Sequence, residues 1–244
     1  MKPTCGIITQ ARLGSTRLPG KVLKELNGKP VLWHHLQRLK WSNLPVFVAT
    51  THEEGFEDIV AICKQVDVPY FQGSTTDVLS RFYHCAQQYA LDVIVRVTSD
   101  CPLVDGCLIA DVVGDYLARS DDSLYLSNGL SRTFPRGFDF EVFSMGLLTE
   151  AYEQGQQSFE REHVTPYLYR GNHEHITVEN VAFERDASAY RITLDTEEDF
   201  KLLKVLFNEF ACQTKDHKEI ISVLESHPYL QTINSSVKQK TLTE

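Results

Sequence analysis

Residues 4–21 read TCGIITQARLGSTRLPGK, and two opposite textures meet in that stretch. The opening TCGIITQA is apolar and β-branched, the composition of a buried strand. From Arg12 the chain turns to glycine, serine, proline and cations. In an open parallel sheet, ligands bind beyond the carboxyl ends of the strands. A loop leaving the first strand at that rim can cradle phosphate with backbone N–H groups and positive side chains. The window 11–29 holds Arg12, Arg17, Lys21, Lys24 and Lys29 against Glu25 alone. Two familiar phosphate loops do not fit. A Walker A loop needs GxxxxGK followed by Ser or Thr, but Gly14 and Gly20 enclose five residues and Val22 follows Lys21. The dinucleotide spacing GxGxxG does not occur.

Outward from this loop the pattern alternates. PVLWHHLQRLKW (30–41) has helical spacing with Pro30 in its first turn. PVFVATT (45–51) reads as a buried strand, EEGFEDIVAICKQV (53–66) as a helix, and STTDVLSRFYHCAQQYA (74–90) as a second helix with a polar cap. DVIVRVTSD (92–100) is the clearest strand, followed by a helix at 107–120 and a strand at 123–128. Strands alternating with helices through residue 128 imply a largely parallel sheet with helices on both faces. Beyond it the spacing predicts a loop feeding a strand within 132–143, then helices at 144–155 and 160–170. Strands follow at 175–183 and 190–194, then a helix at 196–210 opened by Thr196. The reading is one domain over 1–230 with a lobe at 129–189, and a polar tail at 231–244 expected to fray.

Composition narrows the function classes. The 244 residues are 42% hydrophobic and 23% charged, ordinary for a globular chain. No apolar run approaches the roughly 18 residues of a membrane span, and the start is too short in apolar residues for a secretory signal. A cytoplasmic location is expected. Six cysteines show no zinc spacing and read as reduced thiols. The formal net charge of −9 argues against a nucleic-acid backbone as partner. A local positive patch on an acidic chain suits a small anion.

The stretch ARLGSTRLPGKVLKELNGKPVL (11–32) resembles the opening of cytidylyltransferases that activate sugar acids, and more closely the spore-coat polysaccharide cytidylyltransferase-like family. GSTTDVLSRFYHCA (73–86), VIVRVTSDCPLVD (93–105), PRGFDFEVF (135–143), EREHVTPYLY (160–169) and RITLDTEEDF (191–200) follow in the same order. The resemblance spans about 4–205. It implies an α/β, Rossmann-like GT-A nucleotidyltransferase fold, with the opening loop wrapped around the triphosphate of CTP. One departure stands out: the family has glycine before the motif aspartate, and this chain has Ser99.

The expected reaction is attack by an acceptor oxygen on the α-phosphate of CTP, releasing pyrophosphate. Arg12, Arg17 and Lys21 are expected to neutralise the β and γ phosphates, and Ala11, Gly14 and Ser15 to line the nucleotide. Asp100 and Asp195 each follow an expected strand. If both strands belong to one parallel sheet, both carboxylates reach the loop's rim. The resemblance matches them to Mg²⁺-binding aspartates, with Mn²⁺ as a substitute. Asp105 reads as a helix cap and Cys101 as packing. Ser74 and Arg81 are candidates for the pyrimidine edge. Arg136, Asp139, Glu141, Arg161 and His163 are candidates for an acidic sugar or related acceptor. The resemblance also implies a homodimer. The rival readings are a GT-A glycosyltransferase with Asp139–Glu141 as its acidic metal motif, and a nucleotide-binding relative without catalysis.

Overall fold

In the computed structural model, which describes residues 3–171 and 173–239, the first apolar run forms β1 (Cys5–Gln10), buried up to a half-buried Gln10. A short hairpin follows, β2 (Glu25–Leu26) with β3 (Lys29–Pro30). The sequence reading did not anticipate it. Asn27 and Gly28 both take positive φ, 48° and 69°, the backbone that a two-residue Asn-Gly turn requires. The chain then alternates through α1 (Val31–Leu39), β4 (Val46–Thr51), α2 (Phe56–Gln65), β5 (Tyr70–Gly73), α3 (Val78–Gln88), β6 (Val93–Thr98), α4 (Gly106–Arg119) and β7 (Leu124–Ser127). The remaining elements are β8 (Glu141–Ser144), α5 (Met145–Gln154), α6 (Ser158–His163), α7 (Pro166–Arg170), β9 (Thr177–Asn180), α8 (Glu197–Asn208), α9 (His217–Ser226) and α10 (Tyr229–Ile233).

Seven strands form one sheet in the order β5-β4-β1-β6-β8-β7-β9. The first four are mutually parallel, β8 runs antiparallel to both neighbours, and β9 is parallel to β7. This is the mostly parallel, helix-flanked sheet that the alternation predicted, and the Rossmann-like fold that the resemblance implied. The strands' period of two divides the core between the faces. Ile7, Val48 and Val95 pack with Leu36, Ile62 and Ile109 from α1, α2 and α4. Their neighbours Ile8, Phe47 and Ile94 pack with Leu79, Phe82 and Leu148 from α3 and α5. A third apolar cluster joins α8 and α9 to Phe138 and Leu194. No helix among the described residues is long and apolar enough to cross a membrane, and all six cysteines are free.

Several expectations are corrected. Segment 190–194 is not a strand of the sheet: it makes an isolated bridge between Arg191 and Arg136. Arg136 N donates to Tyr190 O and Ile192 N to Arg136 O, at 3.0 and 2.7 Å. The expected helix 160–170 is divided into α6 and α7, because Val164 takes φ 73° and Pro166 has no N–H to continue the ladder. β5 and α9 were not anticipated. The polar tail docks at Asn234, whose side-chain amide donates to Arg191 O and Asp199 Oδ1 at 3.1 and 2.9 Å, and again at Gln239, whose Oε1 accepts from Arg191 Nη1 at 2.7 Å. Residues 240–244 of that expectation lie outside the described residues.

Asp105 caps α4, as its sequence suggested. Its Oδ1 accepts from Cys107 N and Leu108 N at 2.9 and 3.3 Å. Its Oδ2 accepts from the backbone N and ring Nδ1 of His217, at 2.8 and 2.7 Å, tying α4 to α9. Burial alone would raise this carboxyl, but the His217 hydrogen bonds and the charges of His217 and Arg38 outweigh it and bring it to about 2. An unfolded aspartate titrates near ~3.9. The stabilisation is therefore fully present above about pH 4 and lost as pH falls toward 2. Asp105→Ala is expected to destabilise the fold by ~2–4 kcal/mol at neutral pH. Urea midpoints of the two proteins should converge between pH 4 and pH 2; a gap independent of pH contradicts this role.

Candidate active site

The basic loop is pinned by its own backbone. Ser15 N and Gly20 N both donate to Leu13 O, at 2.8 and 3.1 Å. Leu18 sinks into the apolar cluster beside α8. Gly20, at φ 64°, then turns the chain into a 3₁₀ turn over Lys21–Leu23. A left-handed residue there sends the Lys21 side chain inward.

Lys21 Nζ lies 2.7 Å from Asp100 Oδ2 and 2.9 Å from Asp195 Oδ1. The loop and the two carboxylates, distant in sequence, thus meet at one atom. Asp100 follows β6 and receives Thr98 Oγ1 on its other oxygen at 2.6 Å. Asp195 arrives by a route other than the one expected. Leu194 N donates to Asp100 O at 2.8 Å, stitching 190–194 to the β6 terminus rather than to a strand. Gly137 makes the crossing possible: at φ 119°, any Cβ it carried would stand 2.9 Å from the Ile192 carbonyl carbon. Arg17 and Arg191 reach Asp195 Oδ2 at 3.0 and 2.7 Å, and Arg191 also pairs with the buried Asp199.

Burial alone would raise the Asp100 carboxyl, but Lys21 and the hydrogen bonds from Lys21, Thr98 and Cys101 carry it well below the usual carboxylate range. Burial and the neighbouring Asp100 push Asp195 up; Lys21 and Arg191 reverse that and leave it lowered. Lys21 is raised, because the two carboxylates outweigh its burial. All three groups are charged at neutral pH. The geometry fits a divalent cation: two hard oxygen ligands already converge on one positive centre, and Mg²⁺ takes few carboxylates with phosphate and water completing its shell. No group of three or more His, Cys, Asp or Glu among the described residues is arranged to hold a metal. The other ligands here would accordingly come from nucleotide and water.

Two cavities share this point. One, of about 320 Å³, is lined by Gln10, Arg12, Gly14, Ser15, Arg17, Lys21 and Ser99, with Asp100 and Asp195. Ala11 lies buried behind it, its N–H on Ala49 O at 3.2 Å. The other, of about 440 Å³, shares Asp100 and Asp195 and is lined by Arg96, Tyr125, Arg132, Arg136, Asp139, Glu141, His163 and Tyr169.

The acceptor candidates divide. Arg136 faces the larger cavity with no side-chain partner among the described residues, and burial and Arg132 lower its pKa. His163 lines the same cavity and is lowered chiefly by burial. Asp139 pairs with Arg132 and accepts from Gly137 N. Glu141 is saturated by Arg96, Tyr125 and Thr165. Asp139 and Glu141 are thus held by two different arginines, whereas Asp100 and Asp195 converge on one lysine. Arg161 lines neither cavity; it grips Asp77, the N-cap of α3, and the Tyr152 carbonyl. Ser74 and Arg81, the candidates for the pyrimidine edge, also line neither cavity: Arg81 is buried, and Ser74 serves the α3 turn, its Oγ accepting from Asp77 N and its carbonyl from Arg81 Nη1, at 3.0 and 2.7 Å.

Arg96, Arg132, Tyr125 and Tyr169 were missed by sequence reasoning. Arg96 had a readable sign: a lone cation inside the apolar run VIVRVT, where a strand buried on both faces has no reason to carry charge. Cys101 is 2% exposed and its thiol is pushed well up by burial and by Asp100 and Asp139, so it is packing rather than a nucleophile.

A basic loop facing paired carboxylates at the carboxyl rim of a mostly parallel sheet defines a nucleotidyltransferase type of site. Residues 6–227 match the family model described as cytidylyltransferase. The chain is 32% identical to the spore coat polysaccharide biosynthesis protein SpsF of Bacillus subtilis (strain 168), over 91% of this chain and 94% of that protein. It is 30% identical to 3-deoxy-manno-octulosonate cytidylyltransferase 2 of Hydrogenovibrio crunogenus, over 51% of this chain and 52% of that one. It superposes on a cytidylyltransferase structure from Leptospira borgpetersenii with TM-score 0.91 and 35% identity, covering 97% of this chain and 100% of that chain. The chain belongs to the cytidylyltransferase family, CTP-dependent nucleotidyltransferases.

Proposed function

We propose that this enzyme transfers CMP from CTP to an acidic sugar or related acceptor, releasing pyrophosphate, in the biosynthesis of a surface polysaccharide or glycoconjugate. The observation that carries the reading is the meeting of loop 12–21 with Asp100 and Asp195 where the two cavities join. In this reading the smaller cavity takes the triphosphate. Arg12, Arg17 and Lys21 neutralise its outer phosphates and the departing pyrophosphate, and Gly14 and Ser15 line it. Positioning and charge stabilisation supply most of the rate in such a transfer. Asp100 and Asp195 would hold Mg²⁺ or Mn²⁺, which when bound neutralises phosphate charge and lowers the pKa of the acceptor oxygen.

The larger cavity takes the acceptor. Arg96–Glu141 and Arg132–Asp139 are neutral pairs, which leaves Arg136 as the cation for an acidic group on the acceptor. His163, held neutral, is placed to accept the acceptor's proton. A relative named for octulosonate chemistry supports an acidic sugar, and one named for spore coat polysaccharide biosynthesis supports the setting. The cytoplasmic location and a homodimer through the 129–189 lobe belong to the same proposal. The test is pyrophosphate release from CTP with Mg²⁺ across a panel of acidic sugars, neutral sugars and sugar phosphates. Release with an acidic sugar and none with its neutral counterpart is expected. Turnover of a ready-made nucleotide sugar without pyrophosphate would contradict the reading.

A further inference from the structure

Part of the larger cavity's wall comes from neither the sheet nor its loops. Gln239, in the C-terminal segment, lines it along with Arg136, Thr193 and Asp195. This segment lies beyond the residues, 6–227, that the family model matches. A chain of contacts brings it to the cavity. Leu230 of α10 is sunk in the apolar cluster of α8 and α9, and Gln231 Nε2 donates to Ala189 O at 3.1 Å. Asn234, 5% exposed, spans Arg191 O and Asp199 Oδ1. Val237 N then donates to Asn234 O at 3.0 Å, a turn that redirects the chain toward the Arg191 side chain. There Gln239 Oε1 accepts from Arg191 Nη1 at 2.7 Å.

Arg191 ties this tail to the site. Its Nη2 holds Asp195 Oδ2 at 2.7 Å, and its backbone bridges that of Arg136. The Arg136 guanidinium, lowered by burial and then by Arg132, also feels the Arg191 charge. Gln239 therefore stands at the end of the cavity where the acceptor's acidic group is assigned. Four acids line the cavity, and each is matched by a cation: Asp139 by Arg132, Glu141 by Arg96, and Asp100 and Asp195 by Lys21. Glutamine suits the remaining place. Its carbonyl oxygen holds Arg191 as a carboxylate would, but brings no negative charge to face an acidic ligand.

We infer that segment 235–239 closes one side of the acceptor cavity, and that Gln239 determines acceptor specificity there by holding Arg191 while keeping that end of the cavity free of negative charge. The inference rests on the proposed seating of an acidic acceptor at Arg136.

Gln239→Glu separates this role from a structural one. Glutamate has the same length and accepts from Arg191 at least as well, so a tail that only braced the fold would not register the change. Steady-state pyrophosphate release is measured with CTP, Mg²⁺ and the acidic sugar that supports turnover, 3-deoxy-manno-octulosonate being the first probe. Gln239→Glu is expected to raise the KM of the sugar at least ~10-fold and to leave that of CTP within about twofold, because like charges set side by side are costly. The increase should shrink as salt is added, since the charges are partly exposed. Gln239→Ala removes the wall without adding charge, and is expected to raise the same KM less and without that salt dependence. A Gln239→Glu protein with the wild-type KM for the sugar overturns the inference, as does an equal rise for sugar and CTP. A wild type that releases no pyrophosphate with any acidic sugar overturns the proposed function itself, and this inference with it.

Discussion

Asp100→Ala is expected to reduce metal-dependent pyrophosphate release by at least ~10³-fold while the protein remains folded, since removal of one preorganised charge contact typically costs 10²–10³ and this one also removes a cation ligand. The fold survives because the structural contact made at this residue is through its backbone: Leu194 N donates to Asp100 O, which alanine retains. Asp195 therefore keeps its place, and Lys21 keeps one carboxylate partner. Only the Asp100 carboxylate, held ionised by Lys21 and Thr98, disappears. Circular dichroism and thermal melting establish the fold, and coupled pyrophosphate detection gives the rate. Turnover at the wild-type level would remove Asp100 from the chemistry.

Lys21→Ala is expected to weaken triphosphate binding about 10- to 100-fold, the range of a hydrogen bond to a charged group, and to change CMP binding little. The difference arises because the loop's cations are assigned to the outer phosphates, which CMP lacks. The side chain starts from a definite position, with Nζ between the two carboxylates at 2.7 and 2.9 Å. Losing it unbalances that acidic pair as well as the loop. Titration of wild type and variant with CTP, CDP and CMP separates the cases. Equal losses for CTP and CMP would mean that Lys21 only holds the carboxylates and does not serve the triphosphate.

Most of the architecture up to β7 was legible because strand and helix alternate there with long, strongly patterned segments; β1 and β4 are apolar and β-branched, and β6 is an apolar run interrupted by Arg96. The basic loop was legible for a similar local reason: its charge contrasts with the acidic remainder of the chain. β5 was not legible, since four half-buried residues carry too little pattern. The Asn27–Gly28 hairpin could have been read from its turn chemistry and was passed over.

The route of Asp195 is a different case. The run YRITL has strand texture because Ile192 and Leu194 face an apolar cluster, but its backbone is satisfied by Arg136 and Asp100 rather than by a sheet neighbour. Such pairing depends on tertiary contacts between segments more than fifty residues apart and leaves no periodic trace. The convergence of the two aspartates was therefore anticipated while its cause was misassigned. Burial was equally hidden. Arg81 and Arg161 lie on helices with similar polar surroundings, yet one is sealed with an empty fork and the other is spent on Asp77 and the Tyr152 carbonyl.

Calorimetric titration of the wild-type protein with CTP, in the presence of Mg²⁺ and again with the divalent ion chelated, tests the central claim most directly. If loop 12–21 and the paired carboxylates act on one triphosphate, Mg²⁺ tightens CTP binding severalfold or more, and Asp195→Ala abolishes that gain. CTP affinity that is the same with and without the ion, in both proteins, would contradict it.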